Sequence, residues 1–176
     1  WNCVLLAGMS VAAAVTDDEE TLAVAAEVFR LCTEGFQPDG SYGESLQYAN
    51  YAAYALMLSY EALVRARPAM ADRLAPERYG RAMRWMAASL FYMKPLSGWG
   101  PYPRPRAANF NDSAAMFAPS ADMLLHVASR CRETLPEEAG LARWIQETYC
   151  PPVPEHQPDD RTSFGFINKF GFLSIP

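Results

Sequence analysis

A helix-start signal stands between two apolar segments with helical spacing and limits the folds open to this chain. Residues 2–15 are small and apolar, and residues 17–34 carry apolar side chains at helical spacing. Between them, Thr16 followed by Glu19 forms a capping-box pattern, and the acidic run TDDEE suits the positive end of a helix dipole. These segments therefore predict two helices joined by a short turn.

Turn signals of the same kind divide the rest of the chain. The cluster QPDGSYGE separates the second helix from a third, which runs to about Arg67, where Pro68 ends it. A short segment covers residues 69–74, and Pro76 opens a fourth helix that continues through ERYGRAMRWMAASLFYM. Later helices are predicted at about 113–131, with a break at Pro119, and at about 137–149.

Between the fourth helix and the later ones, residues 95–112 read as a long loop, PLSGWGPYPRPRAANFND. Repeated prolines keep such a loop extended, and loops of this length inside a compact domain are usually functional or disordered. We find no convincing strand alternation, and the segment SFGFINKFGFLSI alone leans towards β structure. The fold class predicted is all-α.

Helix pairs recur at a period of roughly 40 residues with polar, Gly-rich connections. Hairpins stacked in this way form a bundle or part of a ring. We expect residues 1–176 to be a single helical domain, and the start at Trp1 indicates a piece of something longer.

The composition excludes several functional classes. The formal net charge of −5 argues against a nucleic-acid-binding protein, which normally shows a basic face. The apolar segments stop short of the roughly 18–20 residues that a membrane span requires. The four cysteines show no metal-type spacing. We therefore expect no metal, no cofactor, no nucleic acid and no membrane.

The stretch DGSYGESLQYANYAAYAL, residues 39–56, carries an unusual set of polar side chains on a helix that otherwise reads as core. At about 100° per residue, Glu44, Tyr48 and Tyr51 fall within a stripe about 60° wide, flanked by Gln47 and Tyr54. A carboxylate, a carboxamide and phenols then share one face. Tyrosine is amphipathic, so a structural role remains open.

A tyrosine hydroxyl can give or take a proton, but with an ordinary pKa near 10 it needs help to act as a base. In β-elimination on a uronic acid, the proton leaves the carbon beside the carboxyl group. That group must be neutralised by amide or acid donors. Asn, Gln or a protonated Glu could do so, and tyrosine suits proton removal and proton delivery.

Three segments in order resemble the catalytic helical region of heparinase II/III-type polysaccharide lyases: WNCVLLAGMSVAAAVTDDEE, PDGSYGESLQYANYAAYAL and GWGPYPRPRAANFNDS. The resemblance covers about residues 1–125. It implies part of an incomplete (α/α) toroid whose cleft binds an acidic polysaccharide, with N-terminal helices and a C-terminal β-sandwich missing from this chain. It also implies a periplasmic or secreted protein.

Carried onto matching positions, the resemblance makes Tyr51 or Tyr48 the acid/base candidate, Glu44 its polar neighbour and Asn2 the amide that faces the carboxyl group. Tyr54 is a reserve candidate. The substrate-binding candidates combine cleft residues with the basic, aromatic loop: Trp1, Gln47, Tyr54, Trp99, Arg104, Arg106, Asn109 and Asn111.

The sequence departs from this family in its histidines. Lyases of this type commonly bring a histidine to the cleft, whereas the two histidines here are His126 and His156. Apolar neighbours favour a core position for His126, and the Pro-rich surroundings of His156 favour an exposed loop. The family chemistry therefore stays an expectation.

Two alternatives remain open. A glycoside hydrolase on a similar helical ring would use Glu44 and Asp112 as acid and base, although Asp112 and Ser113 also read as helix caps. A non-catalytic glycan-binding protein would keep the cleft and lose the chemistry.

Overall fold

The chain is described by a computed structural model over residues 1–95, 103–108, 110–111 and 118–150. Helices dominate these residues, which confirms the prediction of a mostly helical protein. The helices are α1 (Asn2–Thr16), α2 (Glu19–Thr33), α3 (Leu46–Ala66), α4 (Glu77–Gly80), α5 (Ala82–Ser89), α6 (Ala121–Arg130) and α7 (Pro136–Tyr149). A 3-10 helix covers Pro68–Asp72, and two strands follow α5, β1 (Leu90–Pro95) and β2 (Pro103–Ala107).

The connection between α1 and α2 is Asp17 and Asp18. Asp17 has a left-handed backbone (φ 57°), which ends α1, and the Asp18 carboxylate accepts a hydrogen bond from the Thr21 backbone N–H at 3.1 Å. The N-cap of α2 is therefore Asp18. The prediction that Thr16 caps this helix was wrong by two residues. Thr16 instead ends α1, where its hydroxyl donates to the Ala12 carbonyl oxygen at 2.9 Å.

Helix α3 runs parallel to α1. The buried hydroxyls of Ser10 and Ser59 lie 2.7 Å apart, and further along the two helices Arg67 Nη2 contacts Asp17 Oδ1 at 2.6 Å. These partners are 49 and 50 residues apart, so the two helices keep one register along their length. The register places the first residues of α1 beside the first turns of α3.

The predicted turn between α2 and α3 is confirmed as a tight loop closed by an antiparallel bridge between Phe36 and Tyr42. Gly40 sits at its tip with φ +85°, and a Cβ there would lie 2.2 Å from the carbonyl oxygen of Arg81. A residue with a side chain would meet both a strained backbone and a clash. Glycine thus lets the loop rest on the start of α5.

The core lies between α3 and the surrounding helices. Leu56, Met57 and Leu63 of α3 are fully buried, together with Phe29 of α2 and Tyr79 of α4. Helix α7 is held against α5 by a hydrogen bond from Arg84 Nε to Glu138 Oε1 at 2.6 Å. This packing makes α3 a rigid support for side chains at its first turns.

The predicted fourth helix was too long, and the loop after it was wrongly read as lacking strands. The helical segment divides into α4 and α5 and ends at Ser89, after which β1 pairs antiparallel with β2, with Leu90 opposite Ala107 and Lys94 opposite Arg104. Aromatic residues such as those of LFYM fit a pleated strand. Strand β1 shows no regular alternation of apolar and polar residues, so periodicity did not reveal the pairing.

Candidate functional site

An open depression of about 310 Å³ lies where α1 and α3 begin. The described residues that line it are Trp1, Gln47, Tyr48, Asn50 and Tyr51. Parallel packing explains the grouping, because it places the start of α1 beside the first turns of α3. Four of the five were predicted as site residues from the sequence.

Aromatic rings form much of this surface. Trp1 is 90% exposed and Tyr51 is 46% exposed, whereas Tyr48 is half-buried. Tyr48 and Tyr51 are three residues apart on α3, so their side chains share one face. Flat, exposed rings beside hydroxyl groups are suited to contact both the faces and the hydroxyls of a sugar.

The depression also contains Asn50, which the sequence analysis did not select. Asn50 is 6% exposed, its Oδ1 accepts from the Ser120 backbone N–H at 2.8 Å, and its Nδ2 donates to Ser120 Oγ at 3.2 Å. Ser120 directly precedes α6, so this amide joins α3 to α6. The one signal in the sequence is an asparagine inside a packed helix, where it is unfavourable.

An amide nitrogen has two N–H donors, and Ser120 accepts from one of them. The side chain of Asn50 is therefore held in place by Ser120, and Asn50 is one of the residues that line the depression. Gln47, one turn earlier on α3, contributes a second carboxamide to the same lining. The arrangement offers amide donors next to phenols.

Glu44 does not share the tyrosine stripe. Helix α3 begins at Leu46, and Ser45 before it has an extended backbone (φ −67°, ψ 173°). The spacing of 100° per residue applies only within the helix. Glu44 lies before the helix, in the preceding turn, where it is exposed. The predicted alignment of Glu44 with Tyr48 and Tyr51 was wrong for this reason.

Two further candidates lie near the depression without lining it. Asn2 is exposed at the first residue of α1, next to Trp1. Tyr54 is half-buried with its hydroxyl oxygen inaccessible to solvent. Burial, with a smaller effect from the charge of Asp122, raises the pKa of Tyr54 far above its ordinary value. A buried phenol of this kind is poorly placed to exchange protons with a ligand.

The loop candidates are described in part. Arg106 is half-buried on β2, and Asn111 has a left-handed backbone (φ 58°) with its Nδ2 donating to the Gly43 carbonyl oxygen at 3.4 Å. Asn111 thus reaches the turn that leads into α3. The loop candidates that lie outside the described residues are Trp99, Asn109, Asp112 and the side chain of Arg104.

A second polar cluster is enclosed in the core. The Tyr79 hydroxyl lies 2.7 Å from His126 Nε2, and His126 Nδ1 lies 2.8 Å from Glu61 Oε1. Arg130 completes this series of hydrogen bonds, with Nε 2.9 Å from Glu61 Oε1 and Nη2 2.7 Å from Glu61 Oε2. Since a carboxylate only accepts, His126 donates from Nδ1 and accepts from the Tyr79 hydroxyl at Nε2.

The pKa values of this cluster are set by burial and by its hydrogen bonds. Burial would raise the pKa of Glu61, but hydrogen bonds from His126 and Arg130 outweigh it and hold the pKa at about 2. Burial lowers the pKa of His126, which keeps the imidazole neutral. His126 is therefore a satisfied core residue, as its apolar sequence neighbours suggested, and His156 lies outside the described residues.

Comparisons with family models, with curated proteins and with solved structures found no match for this chain. Among the described residues, no helix is long and apolar enough to cross a membrane, and no three acidic, histidine or cysteine side chains group as metal ligands. The class that the described part of the chain defines is a helical protein with an aromatic, amide-lined depression.

Proposed function

We propose that this protein is a polysaccharide lyase-like enzyme that cleaves a uronic-acid-containing polysaccharide by β-elimination. The observation that supports the proposal is the shared depression, in which Tyr48 and Tyr51 lie with the carboxamides of Gln47 and Asn50. These are the two kinds of group that the reaction needs, and they stand on one rigid helix. Trp1 supplies an exposed ring against which a sugar can stack.

The reaction assigns different work to the two kinds of side chain. The amides of Asn50 and Gln47 donate to the carboxylate of the uronate, which stabilises the negative charge that develops as the neighbouring carbon loses its proton. Tyr51 or Tyr48 takes that proton or gives one to the departing glycosidic oxygen. The electron pair of the broken C–H bond forms the double bond of the unsaturated product.

Asn50 takes over the part that the resemblance gave to Asn2. Its side chain is fixed by two hydrogen bonds to Ser120 and lines the depression, whereas Asn2 is exposed outside it. A fixed donor loses little conformational entropy when the charge develops. Asn2 remains close enough in sequence to Trp1 to contact a longer substrate.

Helices α1 and α3 are parallel, and the antiparallel α2 connects them in sequence. This order also supports the proposed incomplete (α/α) toroid. In such a ring, successive hairpins place equivalent helix ends on one side, where a long polymer can bind. An acidic polysaccharide is the partner we propose. A periplasmic or secreted location would bring the protein to it.

The test is incubation of the protein with heparan, chondroitin and alginate while the ultraviolet absorbance of the unsaturated uronate is recorded. We expect Tyr51→Phe or Tyr48→Phe to lower the rate by about 100-fold or more, since loss of a proton-transfer group has this effect. Tyr92→Phe is the matched control, because Tyr92 is an exposed tyrosine on β1 and does not line the depression. Equal rates in all three variants would contradict the assignment.

A non-catalytic glycan-binding protein is the second candidate. One observation favours it: the described side chains that line the depression are uncharged, and the histidine that the structure describes is enclosed in the core. Binding of a polysaccharide without new double bonds or new reducing ends would support this alternative. New reducing ends without the absorbance signal would instead indicate hydrolysis, for which Glu44 and Asp112 were considered.

A further inference from the structure

Two cysteines occupy equivalent levels of the first helical hairpin. Cys3 is the second residue of α1, and Cys32 is the second-last residue of α2. Both helices have 15 residues and are joined by Asp17 and Asp18 alone. Because the helices are antiparallel, positions equally distant from the connection face each other at the same height.

The side chains of Cys3 and Cys32 both lie on the core-facing side of their helices. Both are half-buried and pack against the hydrophobic core, and the two thiols are close enough for each to influence the pKa of the other. Two cysteines at one level of adjacent antiparallel helices can form an S–S bond through side-chain rotation. In the structure both are free thiols.

We propose that Cys3 and Cys32 are a disulfide-forming pair that covalently links α1 to α2 under oxidising conditions. The bond closes the hairpin at its open end, opposite the two-residue connection. Cross-links between residues far apart in sequence restrict the unfolded chain strongly, so the oxidised protein is the more stable form. Both cysteines are only partly buried.

The oxidant is a small-molecule disulfide such as oxidised glutathione. One cysteine thiolate attacks a glutathione sulfur, releases one glutathione thiolate and forms a mixed disulfide. The second cysteine thiolate attacks the protein sulfur of that mixed disulfide and releases the other glutathione. Two protein thiols are oxidised, one glutathione disulfide is reduced to two thiols, and the two protons go to solvent or to those thiolates.

The rate of this exchange depends on pH. Burial raises the pKa of Cys3 to about 11 and also raises the pKa of Cys32 above its ordinary value. Since the thiolate is the nucleophile, exchange is slow at neutral pH and faster in mildly alkaline solution. The pair is thus a structural cross-link in character and not a rapid redox sensor.

The other two cysteines are in different surroundings. Cys131 is fully buried, where a Cβ on Gly80 would lie 2.9 Å from its sulfur, and Cys150 donates from Sγ to the Pro119 carbonyl oxygen at 3.3 Å. Burial raises the pKa of Cys131 to about 12 and that of Cys150 to about 11. Both serve as internal controls for the pairing.

The test starts with the reduced, folded chain incubated with oxidised glutathione at mildly alkaline pH, followed by alkylation of the remaining thiols after unfolding. Trypsin cleavage after Arg30 separates the peptide that holds Cys3 from the one that holds Cys32. We expect these two peptides joined by a disulfide, with Cys131 and Cys150 alkylated. The melting temperature should rise by roughly 5 °C or more on oxidation.

Two serine variants make the result specific. Cys3→Ser should abolish both the linked peptide and the rise in melting temperature, whereas Cys150→Ser should leave both unchanged. Alkylation of Cys3 and Cys32, a stable mixed disulfide with glutathione, or pairing of either cysteine with Cys131 or Cys150 would overturn the proposal. This readout involves no polysaccharide, so it stands apart from the proposed lyase activity.

Discussion

Tyr79 and Tyr51 show how the position of one residue type decides its role. Tyr79 is fully buried, and its hydroxyl donates to His126, whereas Tyr51 is half exposed at the edge of an open depression. Burial raises the pKa of Tyr79 well above its ordinary value, so this phenol stays protonated and donates. One tyrosine therefore completes the core and the other is available to a ligand.

The contrast gives a stability prediction at the residue scale. Tyr79→Phe keeps the ring but removes the donor to His126 Nε2, so the free energy of unfolding should fall by about 1–3 kcal/mol. Tyr51→Phe should change the free energy of unfolding by less than about 0.5 kcal/mol, because removal of a solvent-exposed hydroxyl leaves no buried group without its hydrogen bond. Urea unfolding followed by circular dichroism measures both. Equal effects of the two substitutions would show that the buried hydrogen bond contributes nothing.

At the scale of the elements, the turn between α2 and α3 positions the tyrosine helix. Its bridge between Phe36 and Tyr42 closes the loop, and Gly40 allows the tip to approach the backbone of Arg81. The loop leads to Ser45, the residue directly before α3. An error in this turn would displace the first turns of α3 and with them the depression.

A pair of glycine substitutions tests this role. Gly40→Ala should lower the free energy of unfolding by about 2 kcal/mol or more, because alanine is strained at φ +85° and its Cβ would clash with the Arg81 carbonyl oxygen. Gly43→Ala is the control, since a Cβ there meets no atom within 4 Å. The control should be neutral or slightly stabilising in thermal unfolding. A Gly40→Ala protein as stable as the control would refute the argument.

Elements differ in how well the sequence predicted them. Helices α1, α2, α3 and α7 follow from apolar spacing and from Pro, Gly and cap residues, and their bounds agree with the predictions within about two residues. The ribbon of β1 and β2 was missed, because β1 shows no regular alternation of apolar and polar residues. The predicted position of Glu44 on the tyrosine face was wrong because Ser45 has an extended backbone and α3 begins only after it.

At the scale of the whole molecule, the buried cluster of Glu61, His126 and Arg130 ties α3 to α6 and makes stability depend on pH. The folded pKa of Glu61 is about 2 against an ordinary 4.5, so its contribution is present above about pH 4.5 and is lost as the pH falls towards 2. The folded pKa of His126 lies below its ordinary 6.5, so the unfolded chain binds a proton first, and stability begins to fall below about pH 6.5.

We therefore expect the free energy of unfolding to fall steadily from pH 7 to pH 4, as measured by urea titrations at each pH. The matched control is Glu61→Gln, which removes the group that titrates below pH 4.5 and should flatten the lower part of the curve. That variant will also be less stable at pH 7, because it leaves Arg130 without its ion-pair partner. A parent protein with constant stability between pH 7 and pH 4 would contradict the cluster's role.

Local patterns in the sequence predicted the helical class, the turn before α3 and the face of α3 that carries Gln47, Tyr48 and Tyr51. These follow from local rules, since helix periodicity, caps and turn residues act over a few positions. Three features required the tertiary structure: Trp1 and Tyr51 line one depression, Asn50 is held by Ser120, and His126 is enclosed with Glu61. Each of these contacts depends on how whole helices pack, and packing is settled by the burial of many side chains together.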